Sequence, residues 1–178
     1  LIELGHSRIG GIFKIDDIQG HYRFKGFQKA HAEAGIKLND SRIFWFDTKE
    51  AEARFSGNDD NFPGDKDDVF ADLLENCTAI VCYNNRIALR LISIAQRKSM
   101  RIPDDISLVS FDSSYLASAT EVKLTTVAHS KEQLGEAAAK AIISMIKRKE
   151  NYCAVKMKPE LIIRQSSQKI LNVKGDDK

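Results

Sequence analysis

The sequence predicts an α/β fold, a parallel sheet with helices on both faces. Three observations carry that reading. Short apolar runs alternate with helix-period segments along nearly the whole chain. The runs are apolar on both sides, the pattern of strands buried on both faces rather than one. Polar residues, Asp47, Asn84 and Asp112, directly follow three of these runs, at what would be the carboxyl ends of strands.

The elements follow in order. Ile9 to Phe13 reads as a first strand, and the segment before it, LIELGHS, as the last turns of a helix stopped by Gly5. A chain that opens in this way predicts a fragment of something longer. A helix is expected over about Gln19 to Ala34, with Tyr22, Phe27 and Ala30 as its apolar side and Gly35 as its end. Ile43 to Phe46 is a second strand. Asp47-Thr48-Lys49-Glu50 has the form of a capping box, in which each acidic side chain satisfies an amide of the opening turn. Residues 56–64, SGNDDNFPG, read as a loop, and Asp65, Asp67 and Asp68 open a helix with Val69, Phe70, Leu73 and Leu74 as its apolar side. Ala79 to Tyr83 is a third strand, followed by a helix whose apolar side runs through Leu89 to Ile92, Ile94 and Ala95. After the Pro103-Asp104-Asp105 turn come a strand over Ile106 to Phe111 and an extended run over Val122 to Val127. Ser130 to Gln133 forms another capping box and opens the longest helix, striped with Leu134, Ala138, Ala141, Ile142 and Met145. A last strand is expected over Leu161 to Arg164, and a frayed tail from Ser166.

Composition narrows the class. The chain has 178 residues, 43% hydrophobic and 29% charged, which supports a packed core and argues against disorder. A net charge of +2 gives no basic footprint for nucleic acid. Cys77, Cys82 and Cys153 lack metal or redox spacing, and Cys82 within a strand reads as a small reduced hydrophobe. Together with the absence of a signal-peptide pattern, this predicts a cytoplasmic protein. No window has the apolar length to cross a membrane.

The catalytic motifs are missing. Gly10-Gly11 lies inside a strand and does not make a dinucleotide-binding loop; no phosphate loop or nucleophile elbow is present. His6, His21, His31 and His129 are too scattered for a metal site, and His6 and His31 read as surface or helix-end residues. Asp112 at a strand end would suit a phospho-acceptor, but only Asp16 and Asp17 could supply the acidic pair such a domain needs. No enzyme, cofactor or metal is predicted.

A binding rim is the better reading. In doubly wound sheets ligands bind outside the carboxyl ends of the strands. Asn84 could be a helix cap, which stabilises by about 1 kcal/mol, or a ligand contact; Asp112 is equally open. Arg23 falls on the inner side of its helix by spacing, so an acidic or hydroxyl-rich partner should meet it. Amide, carboxylate and guanidinium groups with an aromatic ring such as Phe46 suit a polyol, whose hydroxyls need donors and acceptors.

The segments LIELGHSRIGGI, RFKGF, AIVCYNNRIAL, RIPDDISLVSFD and LTTV, in that order and spacing, resemble the effector-binding domain of the lactose/galactose repressor (LacI/GalR) family. The resemblance runs from Leu1 to about Ser167. PELIIRQS and KIDDIQGHYRFKGF are most similar to the arabinose-responsive members from Gram-positive bacteria, which carry this sensor behind a winged helix-turn-helix head of the GntR type.

The resemblance implies a periplasmic-binding-protein-like (type I) fold of two lobes clamping a sugar. Residues 1–128 would be the C-terminal lobe and 129–150 a helix that belongs to the N-terminal lobe. Residues 151–167 would return to the C-terminal lobe, with 168–178 as the frayed tail. It implies a transcriptional repressor, a homodimer, that binds operator DNA through a head outside this chain and responds to L-arabinose or a related pentose. The alternative is a sugar-binding protein of a transporter, which shares the fold. The implied effector contacts are Arg23, Phe46, Asn84, Asp112 and His129. Two positions depart from the family pattern: Asn85 stands where aspartate is common, and Ser113 where a second aspartate is common.

Overall fold

The computed structural model describes residues 1–50, 67–112, 114–148 and 154–170. Six strands form one sheet: β1 (Ile9–Lys14), β2 (Ile43–Phe46), β3 (Ala79–Cys82), β4 (Ser107–Phe111), β5 (Thr125–Ala128) and β6 (Glu160–Ile162). Their spatial order is β2-β1-β3-β4-β5-β6. The first five are parallel, in registers such as Ile12 beside both Phe44 and Cys82. The parallel core is as expected; the sixth strand, β6, lies antiparallel to β5 at the edge, with Val127 opposite Leu161.

Five helices can be traced in full among the described residues: α1 (Ile18–Glu33), α2 (Asp67–Asn76), α3 (Asn85–Arg97), the short α4 (Leu116–Ala119) and α5 (Lys131–Arg148). Alternation along each strand separates two cores. On one face Ile12, Ile80, Cys82 and Leu108 pack against Leu73 and Leu74 of α2, and Ile87, Leu91 and Ile94 of α3. On the other, Ile9, Phe13 and Ala79 meet Phe24 and Phe27 of α1. Burying one such side chain contributes about 1.5–3 kcal/mol, so the α2–α3 face holds most of the stability. The α1 face is less covered. Val81, Val109, Phe111 and Val127 on it stay half-buried.

Local signals explain the helix starts. Asp17 caps α1 by accepting from the Gln19 amide at 2.8 Å. Asp47 and Glu50 make the reciprocal capping box, at 2.7 and 3.2 Å. Ser130 caps α5 through the Gln133 amide at 3.2 Å.

Several expectations change. Tyr22 and Ala30 of α1 and Val69 of α2 face solvent, and Leu89 is only half-buried; the buried sides of these helices are narrower than a full stripe. His6 and His31 are buried rather than at the surface, though His31 does stand in the last turn of α1. His6 bonds to Thr78 Oγ1 and the Gln168 carbonyl, and His31 Nδ1 donates to the Phe27 carbonyl. The frayed tail does not begin at 166 or 168. Ser166 Oγ donates to Leu108 O, Gln168 N to Ser107 Oγ, and Ile170 N to Leu4 O, so the chain is pinned across the amino ends of the strands as far as 170. The extended run expected from Val122 becomes a strand only at Thr125. The predicted loop over 56–64, the acid at 65, Cys153 and residues 171–178 lie outside the described residues.

α5 is the exception to the layering. No residue of it is buried, and Leu134, Ile142, Ile143 and Ile146 are all more than half exposed.

Candidate functional site

Arg23 organises the carboxyl rim of the sheet. It lies on α1 one turn after Gly20, and Gly20 packs so closely on the end of β1 that a Cβ there would sit 1.9 Å from Lys14 O. That approach brings the guanidinium over β3 and β4. Nη1 donates to the Tyr83 carbonyl at 2.6 Å; Nη2 donates to Gln19 Oε1 at 2.8 Å and to Asp112 Oδ1 at 3.1 Å. The rings of Tyr83 and Phe111 flank it at 4.5 and 4.6 Å, a geometry in which cation–π attraction adds to the ion pair. Burial is unequal, with the Arg23 side chain 12% exposed and that of Asp112 50%. Three of five guanidinium donors are used. Nε–H and the second Nη1 hydrogen have no partner among the described residues.

The acidic partner expected for Arg23 is therefore Asp112, supported by the Tyr83 carbonyl and the Gln19 amide oxygen. Behind this group, Tyr83 Oη donates to Asp17 Oδ2. The bond from Tyr83 holds the Asp17 carboxyl below its ordinary range, and burial followed by that same bond pushes the Tyr83 phenol up. Asp17 thus joins the α1 cap to the end of β3.

An open groove of about 790 Å3 runs from this rim along the uncovered sheet face. Arg23, Asp112 and His129 line the rim side of it; Ile9, Phe27, Val81 and Val127 give it a largely apolar floor, with Glu3 and His31 also on its lining. Only the rim side suits a polyol, so the groove as a whole is larger than the site.

The five expected contacts are thus divided. Arg23 and Asp112 meet directly, and His129, exposed after β5, lines the same end. Asn84 caps α3, its Oδ1 accepting from the Ile87 amide at 3.1 Å, and lies off the groove. Phe46 is 3% exposed and packed edge-on against Tyr83 at 5.6 Å. A ring so enclosed offers no face for stacking, and the strand period explains it: Phe46 points with Ile12 and Cys82 into the α2–α3 core. Tyr83, Phe111 and Gln19 were missed by sequence reasoning. Gln19 was findable, as the i,i+4 neighbour of Arg23.

An open α/β sheet with polar side chains gathered at its carboxyl rim defines the class of fold, one in which ligands bind outside the carboxyl ends of the strands. Residues 1–167 match the periplasmic binding protein-like domain, and the chain belongs to that family. It is 39% identical to the arabinose metabolism transcriptional repressor of Halalkalibacterium halodurans, over 98% of this chain and 46% of the relative. It is 37% identical to that of Geobacillus stearothermophilus, over 96% and 46%. Among solved structures, a putative transcriptional regulator LacI from Bacillus cereus subsp. cytotoxis superposes with a TM-score of 0.76 at 26% identity, covering 94% of this chain and 57% of that one. The chain spans about half the length of the curated relatives it matches.

Proposed function

We propose that this chain is the sugar-sensing part of a ligand-responsive transcriptional repressor, with L-arabinose or a related pentose as effector. One observation carries the reading: Arg23 is fixed between two rings and against Asp112, with two guanidinium donors left over. A polyol can accept from those donors and donate to the half-exposed Asp112 carboxylate. His129 adds a third polar group at the same end. The names of the two arabinose-repressor relatives favour a pentose. In this reading DNA is bound by a head outside the chain, the working unit is a homodimer in the cytoplasm, and no reaction is catalysed. The unburied α5 fits a helix that docks on a second lobe. Asn84 acts as a cap, and Phe46 supports Tyr83 from below.

The test is a thermal-shift screen of pentoses and hexoses on the full-length protein. L-Arabinose should raise the midpoint progressively with concentration, and Arg23→Ala should abolish the rise. A midpoint unmoved by any pentose, or moved equally in Arg23→Ala, would count against the proposal.

A further inference from the structure

Asn85 is the first residue of α3, directly after its cap, and it is 3% exposed. A polar side chain so enclosed must have its hydrogen bonds met inside the protein. All three that it makes go to one short stretch of chain. Nδ2 donates to the Asp112 carbonyl and to Ser114 Oγ, both at 2.9 Å, and Oδ1 accepts from Ser110 Oγ at 2.5 Å. The partners are therefore two residues before Asp112, Asp112 itself, and two residues after.

Asp112 has a backbone φ of +76°. Non-glycine residues adopt this left-handed region uncommonly, though aspartate and asparagine tolerate it best. Two bonds hold the backbone there from opposite sides. The Asp112 amide donates to Val127 O of β5 at 2.9 Å, extending the β4–β5 ladder by one step. The Asp112 carbonyl takes the Asn85 amide. With both ends of the residue held, its side chain leaves the sheet toward α1, where Oδ1 meets Arg23.

We propose that Asn85 is a positioning residue of the ligand site, holding Asp112 in the left-handed conformation that aims its carboxylate at Arg23 and at bound sugar. The inference rests on the sugar-site reading given above. In this chain's arrangement the bond to the Asp112 carbonyl needs a donor at position 85. A carbonyl oxygen only accepts, so the group facing Asp112 O must donate, and an ionised aspartate at 85 would present a lone pair there instead. Asn85 touches neither the groove nor Arg23 in any bond described, so its effect on ligand passes through Asp112.

The test is a double-mutant cycle in the full-length protein, with arabinose affinity measured by calorimetry. Asn85→Asp should weaken binding at least tenfold. In an Asp112→Ala background the same change should weaken it less than twofold, because the residue through which it acts is gone. Losses that multiply in the double variant would overturn the proposal. If Asn85→Asp does not fold, Asn85→Ala replaces it in the cycle with the same expectations. A crystal structure of the folded variant gives a readout independent of sugar: φ at residue 112 should leave the left-handed region. A φ that stays near its wild-type value would also overturn the proposal. If wild-type protein binds no arabinose yet φ changes in the variant, the sugar reading has failed and the positioning role stands.

Discussion

Gly20 and Gly26 lie in the same helix, and the structure predicts opposite results for the same substitution. At Gly26 an added Cβ meets nothing within 4 Å. Gly26→Ala should therefore stabilise by the ordinary helix preference, about 0.5–1 kcal/mol. At Gly20 the added Cβ would lie 1.9 Å from the Lys14 carbonyl oxygen and 2.8 Å from its carbon. Both obstacles are backbone, so relief requires α1 and the end of β1 to separate by roughly 1.5 Å to reach ordinary contact. Overpacking of this kind costs about 1–3 kcal/mol, partly offset by the helix preference. Arg23 moves with the first turn of α1, and its bond to the Tyr83 carbonyl, 2.6 Å long, cannot survive such a shift. A hydrogen bond from a charged donor contributes about 1.5–3 kcal/mol. The net loss for Gly20→Ala is then about 1.5–5.5 kcal/mol. Urea unfolding followed by circular dichroism measures both variants. Midpoints that move in the same direction, or a Gly20→Ala change below about 0.5 kcal/mol, would refute the close approach and the way it sets Arg23.

Other outcomes follow from single features. Asn84→Ala should lose about 1 kcal/mol of stability by removing the cap of α3, whereas Asn84→Asp should melt near wild type; equal losses in thermal melts would show that the Ile87 bond is not what matters. His6 has its pKa lowered, chiefly by burial, so the folded state resists protonation more than the unfolded chain does. Its stability contribution is complete above the unfolded value of about 6.5 and is lost as pH falls from there toward the lower folded value. His6→Gln should flatten the pH dependence of the melting temperature in that window, and an unchanged slope would exclude the residue as its source. Ile142→Glu with Ile146→Glu should change stability by less than about 0.5 kcal/mol, because both side chains are already exposed. A large drop in melting temperature would mean that α5 is packed in solution.

Much of the architecture was legible because the apolar runs are short and clearly bounded. Ile43–Phe46 was predicted to the residue, and Ser130 announced α5 through a side-chain oxygen at the right offset. The antiparallel β6 was not legible: nothing in Glu160–Ile162 encodes strand direction, which follows from where the chain returns after α5. The pinned tail escaped notice because Ser166 and Gln168 are polar, and polarity alone does not separate a frayed end from one bonded to the strand ends. In the site, the Arg23–Asp112 pair could be anticipated from the cost of an inward-facing arginine. Phe46 was misjudged by one pleat, since an aromatic at a strand end faces the rim or the core according to the strand period. Asn85 turns inward onto Asp112, a partner 27 residues away in sequence that no local pattern reveals.

Viewed mechanically, β5 and β6 pair side by side, and α5 lies in the chain between them. His129 and Pro159, directly after β5 and directly before β6, both border the groove beside Arg23 and Asp112. α5 has 18 residues, making a rigid arm about 27 Å long at 1.5 Å per residue. A rotation of about 10° at its base carries the far end of such an arm through roughly 5 Å. Whatever grips that arm has leverage on the rim, and whatever fills the rim sits at the fulcrum.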